Sequence, residues 1–270
     1  MINLNFNPMI INRIDQLFRD RETEILSVYL TAGYPGLNDT VKLLESLQEH
    51  GAHMVEIGIP FSDPLADGPV IQESSQVALR NGMTLDLLFK QLMEVRRTVH
   101  IPLVLMGYLN PVLQMGMEKF LNRCKETGID GVIIPDLPPK EYETRYKELF
   151  KSKGIYNILL ITPHTDEVRI KQISSLSEGF IYLVAESSTT GARDSVGDHQ
   201  KEYFQSIKEM GLSVPGLIGF GISNRETFLT ASKYASGAII GSAFIRALGE
   251  KNALSLESKV EKFVRGIFGS

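Results

Sequence analysis

The sequence predicts an α/β protein, a (β/α)8 TIM barrel preceded by an extra N-terminal helix, and three observations lead to this prediction. The chain has 270 residues, close to the roughly 250 that one such barrel requires. Eight near-continuously apolar runs recur along it, as parallel strands buried on both faces must be. No Pro/Gly/Ser-rich linker divides the chain, so residues 1–270 are expected to form one domain. An open doubly wound sheet is the alternative that the pattern leaves.

The apolar runs are rich in Val, Ile, Leu and Tyr, and amphipathic helical stretches separate them. They span residues 25–31, 53–59, 102–108, 131–135, 155–162, 180–185, 215–220 and 237–241. Among the stretches between them are the predicted helices 38–50 and 84–99. In the first of these, Val41, Leu44 and Leu47 follow the spacing of a helix with one buried face.

The predicted helices also carry start signals. Asn38 and Thr84 are predicted N-caps, because their side chains can accept hydrogen bonds from first-turn N–H groups. The segment 12–21 precedes the first strand and is predicted to be the extra helix, which would plug the bottom of the barrel.

Composition and charge exclude several classes of protein. Hydrophobic residues make up 43% and charged residues 22% of the chain, which is typical of a globular protein. The formal net charge of −4 argues against general nucleic-acid binding. Arg96 and Arg97 form the densest basic cluster, and we expect them on a solvated helix face.

The single cysteine, Cys124, excludes an internal disulfide and is expected to be a small packing residue. Residues 1–12 lack the features of a secretory signal, and no apolar run is long enough to span a membrane. We therefore expect a soluble protein in the cytoplasm.

The second predicted strand and the loop after it contain three acidic residues. Glu56 interrupts an apolar strand, so its carboxylate is expected inside the barrel or at its mouth. Burial raises the pKa of an unpaired carboxylate, which suits a group that gives and takes a proton near neutrality. The alternative is that a core arginine or backbone N–H groups hold Glu56. Asp63 and Asp67 follow in the loop and favour a catalytic site, although a single loop aspartate is usually a turn-former.

The last two predicted strands indicate a phosphate site. The segment GFGIS at residues 219–223 ends the seventh strand, and GSA at 241–243 ends the eighth and opens a short helix. Glycine lets the backbone approach an anion, and a helix N-terminus presents unpaired N–H groups to it. Either segment alone is weak evidence, because glycine also ends strands for steric reasons. Both together predict a phosphorylated substrate.

The polar stretch 186–198, after the sixth strand, exceeds the usual loop length and is interpreted as a mobile lid, with a disordered surface loop as the alternative. No lysine falls at the end of a predicted strand, which disfavours Schiff-base chemistry. The five histidines show no metal-ligand spacing.

The segment EIGIPFSDPLADGP at residues 56–69 resembles the signature of the tryptophan synthase α chain. Further matches to that family follow in order along nearly the whole chain: YLTAGYP at 29–35, MGYLNP at 106–111, PDLP at 135–138, TGAR at 190–193, and the two glycine segments at 219–223 and 241–243. The resemblance implies a barrel that cleaves indole-3-glycerol phosphate by a retro-aldol reaction and passes indole to a β chain.

The resemblance also implies roles for particular residues. Glu56 would be the general acid–base, and Asp67 would bind the indole N–H. The remaining positions would bind substrate: Tyr108 and Tyr182 at the indole pocket, and Gly191, Gly221, Gly241 and Ser242 at the phosphate.

No cofactor is implied for this chain, whereas pyridoxal phosphate is expected in the β chain of an α2β2 tetramer. We expect the β chain to contact the catalytic face, including residues 62–68 and 110–115, and its binding to be coupled to ordering of the lid.

The chain departs from the pattern of the family in three places: at Ala185, where a serine is frequent, at residues 188–190 in the lid, and at Tyr34, where some members have aspartate. These departures bear on loop closure rather than on the reaction. The alternatives are another phosphate-binding barrel such as indole-glycerol-phosphate synthase, which would require a strand-end lysine, a free-standing lyase, and a largely non-catalytic activating subunit.

Overall fold

The computed structural model, described for residues 11–185, 197–219 and 221–269, is a closed barrel of parallel strands surrounded by helices, which confirms the predicted fold class. The strands of the described residues run in the order β5-β4-β3-β2-β1-β9-β8-β7-β6. Because β5 and β6 follow one another in the chain, the two ends of this order meet and the sheet closes. The strands are β1 Ile25–Thr31, β2 Met54–Gly58, β3 Leu103–Met106, β4 Gly131–Ile133, β5 Tyr156–Asn157, β6 Leu160–Ile161, β7 Ile181–Val184, β8 Gly216–Gly219 and β9 Gly237–Ile240.

One helix precedes the first strand, and the others lie between strands and after the last one. They are α1 Arg13–Asp20, α2 Thr40–Glu49, α3 Pro69–Arg80, α4 Leu85–Leu92, α5 Leu109–Met115, α6 Met117–Glu126, α7 Pro139–Glu141, α8 Lys147–Lys153, α9 Glu167–Leu176, α10 Asp198–Glu209, α11 Arg225–Ala231, α12 Ser242–Gly249 and α13 Leu256–Phe268. A 3-10 turn, Val95–Arg97, follows α4, so the predicted helix 84–99 is interrupted. A π-helical turn, Tyr142–Tyr146, joins α7 to α8. Within the described ranges, we find no helix with the length and apolar character of a membrane span.

The predicted fifth strand, residues 155–162, is wrong as one continuous strand. It forms two short strands, of which β5 pairs with β4 and β6 pairs with β7. Between them the N–H of Leu159 donates to the Ser177 hydroxyl at 3.0 Å instead of to a strand carbonyl. At the point where the barrel closes, a hydrogen bond to a side chain therefore replaces one backbone hydrogen bond between strands.

Side chains alternate between two apolar layers. Residues of β1 such as Ile25 and Tyr29 point into the barrel, whereas Leu26, Val28 and Leu30 pack against the surrounding helices. The same alternation in every strand gives an inner core and an outer core, so a polar residue at an inward position lies in the middle of the barrel.

The extra helix α1 lies at the N-terminal end of the barrel, as predicted. The Asn12 side chain caps it by accepting from the N–H of Ile14 at 2.9 Å. Ile14 is fully buried in the inner core. It packs against the start of β4, where a Cβ on Gly131 would lie 3.1 Å from Ile14 Cδ1.

An ion network fixes the same end. Asp130, just before β4, accepts from Arg13 Nη1 at 2.9 Å and from Arg96 Nη2 at 2.6 Å. The side chain of Arg96 is only 17% exposed, whereas that of Arg97 is 79% exposed. The expectation of a solvated pair is therefore wrong for Arg96, because its guanidinium binds a buried carboxylate.

Three smaller predictions had different outcomes. Thr84 caps α4 by accepting from the N–H of Leu87 at 3.2 Å, as expected. Asn38 is not a cap: α2 begins one residue later than expected and Asp39 occupies that position. Cys124 is buried among apolar side chains of the outer core, which agrees with its predicted packing role.

Candidate active site

Glu56 lies on β2 with its side chain inside the barrel, where it is fully buried. Oε1 accepts a hydrogen bond from the Ser27 hydroxyl at 3.3 Å, and among the described residues Oε2 has no hydrogen-bond partner. Burial raises the pKa of Glu56 to about 8, and the hydrogen bond from Ser27 opposes this rise. Among the described residues, therefore, neither a core arginine nor a backbone N–H group holds Glu56, which was the alternative expectation. With a pKa of about 8, the carboxyl group favours its protonated form at neutral pH.

Asp67 lies near the end of the loop that joins β2 to α3. The Tyr108 hydroxyl donates to Asp67 Oδ2 at 2.9 Å and accepts from the N–H of Ala66 at 2.9 Å. Gln72, in the first turn of α3, donates to the Asp67 carbonyl at 2.8 Å. Burial raises the pKa of Asp67, and the hydrogen bond from Tyr108 opposes this rise. These contacts hold the second carboxylate at the mouth of the barrel.

Asp63, which the sequence brought forward together with Asp67, lies on the solvent side of the same loop. It is exposed and accepts a hydrogen bond from the Ser62 hydroxyl. Phe61 stacks on the Tyr108 ring with 5.2 Å between ring centroids. The structure therefore brings Asp67, and not Asp63, into the barrel mouth.

Two buried phenols, Tyr29 and Tyr182, lie across glycines of neighbouring strands. A Cβ on Gly58 would lie 2.0 Å from the Tyr29 hydroxyl, and one on Gly219 would lie 2.1 Å from the Tyr182 hydroxyl. Glycine at these two positions therefore provides the space that the rings occupy. The pKa of each tyrosine is raised, mainly by burial and further by the carboxylates of the two acidic residues on β2 and its loop. Both phenols thus face the acidic pair.

A small cavity borders Asp67 and Tyr108. Side chains and backbone of the β1, β2 and β3 ends enclose a cavity of about 10 Å3, bounded among others by Tyr29, Asp67, Tyr108 and Pro135. This is about the room of one water molecule.

The predicted phosphate residues lie at neighbouring strand ends. Gly221 follows β8 and has a φ of +74°, a left-handed conformation that glycine adopts without strain. Gly241 directly precedes α12, and Ser242 is the first residue of that helix. The first N–H groups of a helix have no partner inside it, and they carry the positive end of the helix dipole. Gly191 and residues 186–196 of the predicted lid lie outside the described part of the chain.

Sequence reasoning missed Ser27 and Tyr29, which contact or face the acidic pair. Their signal was present in the alternation of β1: Ser27, Tyr29 and Thr31 are polar, and their spacing of two places all three on one face of a strand. The alternation is visible in the sequence of β1 alone. Which residues of β2 lie beside these polar side chains becomes known only from the strand register, which pairs Tyr29 with Glu56.

Known proteins resemble this chain over nearly its whole length. The profile of the family described as tryptophan synthase alpha chain matches residues 16–266. Tryptophan synthase alpha chains of Flavobacterium psychrophilum and Parabacteroides distasonis are 54% and 52% identical to it, each over 95% of this chain, covering 100% and 99% of the relatives' own length.

Solved structures agree with these sequence matches. Tryptophan synthase subunit alpha from Legionella pneumophila superposes with a TM-score of 0.85 at 32% identity, covering 95% of this chain and 97% of the other. A tryptophan synthase complex from Pyrococcus furiosus gives a TM-score of 0.83 at 34% identity, covering 92% of this chain and 99% of the matched one. Together with the barrel fold, these matches show that the chain belongs to the tryptophan synthase alpha chain family.

Proposed function

We propose that residues 1–270 form one catalytic domain in which Glu56 and Asp67 cleave indole-3-glycerol phosphate into indole and glyceraldehyde 3-phosphate. The chain is a carbon–carbon lyase of its family, which serves tryptophan biosynthesis. The observation that carries the residue assignment is the buried Glu56 carboxyl, which has a pKa of about 8 and one oxygen without a hydrogen-bond partner among the described residues. A group with that pKa donates and accepts protons near neutral pH.

The reaction requires one proton to move within the substrate. Glu56 donates its proton to C3 of the indole ring, which makes the ring an acceptor for an electron pair. The bond between C3 and the adjacent glycerol carbon then breaks, and its electron pair restores the aromatic indole. The hydroxyl on that carbon gives its proton to the Glu56 carboxylate and becomes the aldehyde, so the Glu56 carboxyl is regenerated without net gain or loss of protons.

Asp67 is proposed to stabilise the positive charge that develops at the indole nitrogen during this step. Such stabilisation is strongest when the charged group is held in place before the reaction and is shielded from water. The hydrogen bond from Tyr108 and the attachment of the loop to Gln72 supply that order here. Tyr108 and Tyr182 are proposed to line the indole pocket.

The substrate phosphate is proposed to bind the backbone at Gly221, Gly241 and Ser242, with Gly191 approaching from the lid. The N-terminus of α12 and the positive φ of Gly221 support this assignment. A phosphate at a helix N-terminus is bound by N–H groups and by the helix dipole.

Substitution of the two acidic residues tests the assignment. Glu56→Gln should lower cleavage of indole-3-glycerol phosphate about 10²–10⁴-fold, as removal of a positioned acid–base does. Asp67→Asn should lower turnover while leaving the affinity for glycerol phosphate nearly unchanged. Glyceraldehyde 3-phosphate formation by the purified chain is measured with and without a β chain. A Glu56→Gln variant retaining more than about a tenth of wild-type activity would show that another group transfers the proton.

The catalytic face is proposed to bind a β chain that holds pyridoxal phosphate, in an α2β2 tetramer in the cytoplasm. Leu65 is 92% exposed and Leu113 is 50% exposed, and both lie in segments expected at this interface. The Pyrococcus furiosus relative was solved as a tryptophan synthase complex. Calorimetric titration of a β chain with and without glycerol phosphate tests the coupling, since substrate and partner must strengthen each other by one common factor. Equal affinities would mean that the interface and the substrate site are independent.

A further inference from the structure

Ser27 is a fully buried hydroxyl-bearing residue in the middle of β1. Its neighbours across both adjacent strands are apolar, because the register pairs Ser27 with Met54 of β2 and with Ile239 of β9. A buried hydroxyl without a hydrogen bond costs free energy, so a serine at this position requires a polar partner. The partner is Glu56, whose Oε1 lies 3.3 Å from the Ser27 hydroxyl.

The contact makes the two oxygens of the carboxyl group different. A hydroxyl that donates to Oε1 fixes the rotation of the carboxyl group and occupies that oxygen. Oε2 has no hydrogen-bond partner among the residues that the structure describes. When the group is protonated, the proton therefore belongs on Oε2, since Oε1 already accepts a hydrogen bond.

We propose that Ser27 is a positioning residue for the reaction: its hydroxyl holds Glu56 Oε1 and leaves Oε2 as the oxygen that exchanges the proton with the indole ring. The inference rests on the proposed role of Glu56 and adds to it the identity of the reacting oxygen. It assigns no contact between Ser27 and the substrate, so Ser27 acts only through Glu56.

The hydrogen bond has a second consequence, which makes the proposal testable. A donor to a carboxylate favours the ionised form, and it opposes the effect of burial on Glu56. Removing the hydroxyl should therefore raise the pKa of Glu56. A serine that served only to fill space would leave this titration unchanged.

The experiment compares Ser27→Ala with Ser174→Ala in the full chain. Ser174 is an equally buried serine on α9, and its hydroxyl bonds to Ser213, far along the chain from Glu56. We expect Ser27→Ala to shift the titration of Glu56 upward by about one pH unit. We expect kcat at neutral pH to fall about 3- to 30-fold with little change in KM, because a mispositioned acid affects the chemical step. Ser174→Ala should change neither quantity.

Two readouts separate this proposal from the proposed function. The pH profile of kcat reports the acid–base group in the enzyme–substrate complex, and NMR of 13C-labelled glutamate carboxyls reports the titration of Glu56 without turnover, with Glu56→Gln assigning the signal. If Glu56→Gln is inactive but Ser27→Ala leaves the titration and the pH profile unchanged, the positioning role is overturned and the proposed function stands. If Glu56→Gln stays active, both are overturned. An upward shift of both readouts in Ser27→Ala, together with an inactive Glu56→Gln, supports the proposal.

Discussion

Two buried carboxylates lie in different parts of the same barrel, and their surroundings differ. Asp130, at the N-terminal end, accepts from Arg13, from Arg96 and from the N–H of Leu103, at 2.9, 2.6 and 2.8 Å. Glu56, inside the barrel, accepts from Ser27 alone among the described residues, at 3.3 Å. Charge pairing stabilises the first, whereas the second avoids its charge by holding a proton.

This difference shows how one fold separates stability from reactivity. A buried ionised carboxylate needs partners that satisfy both oxygens, and Asp130 has them. A buried carboxyl with too few partners is destabilised in its charged form, and this is the property that a proton-transfer group requires. Among the described residues, Asp130 has three hydrogen-bond donors at the N-terminal end of the barrel, whereas Glu56, the proposed acid–base, has one.

Substitution of Asp130 should have the largest effect on stability. Asp130→Asn leaves the Arg96 guanidinium, which is 17% exposed, without its counter-charge. Breaking a buried ion pair typically costs about 3–5 kcal/mol, and we expect a loss of this size in the free energy of unfolding measured in urea. The adjacent Arg97 is 79% exposed, so the control Arg97→Gln should change stability by less than about 0.5 kcal/mol. If both variants lost a similar amount of free energy of unfolding, the ion pair of Asp130 would not be what stabilises this end of the barrel.

Substitution of Glu56 should act in the opposite direction. The pKa of Glu56 is about 8 in the fold against 4.5 for the unperturbed group. The protonated carboxyl group therefore makes its full contribution to the free energy of unfolding below about pH 4.5, and this contribution is lost as the pH rises through 8. The glutamine of Glu56→Gln cannot ionise. As the pH rises between these values, the free energy of unfolding of this variant should therefore increase relative to that of the wild type by about 2–4 kcal/mol. Urea unfolding of both proteins at a series of pH values gives this difference, and parallel curves would contradict it.

Titration of His53 should make stability depend on pH in the opposite direction, and the effect should be smaller. It precedes the strand that carries Glu56, and its Nδ1 accepts from the N–H of Leu26 at 2.9 Å. Burial, with Arg21 as a second cause, lowers the pKa of His53 from 6.5 to about 4. The fold favours the neutral ring. The contribution of His53 to stability is therefore fully present above pH 6.5 and is lost as the pH falls through 4.

We expect this loss to be about 1–3 kcal/mol. His53→Asn keeps an acceptor near the Leu26 N–H but does not titrate in this range. The wild type should therefore lose stability relative to this variant on going from pH 7 to pH 4. A constant difference between the two proteins would mean that the ring of His53 is not kept neutral by the fold.

Several features of this protein are determined by the sequence alone. The alternation of apolar runs with amphipathic stretches predicted the barrel, because parallel strands buried on both faces leave few other arrangements. The interruption of an apolar strand by Glu56 indicated a buried acid, and Thr84 marked the start of a helix through a contact with its own first turn. These signals are local, so a single segment carries them.

Only the tertiary structure decided the features that depend on neighbours distant in sequence. Arg96 and Arg97 are adjacent, yet only Arg96 is largely shielded from solvent, because Asp130 lies 34 residues away in the chain and 2.6 Å away in space. The fifth strand divides because Ser177 replaces a carbonyl as the partner of Leu159. Ser27 is near Glu56 because strand register brings β1 beside β2. A periodicity shows which face a side chain occupies, whereas the group it meets there depends on how the strands and helices pack.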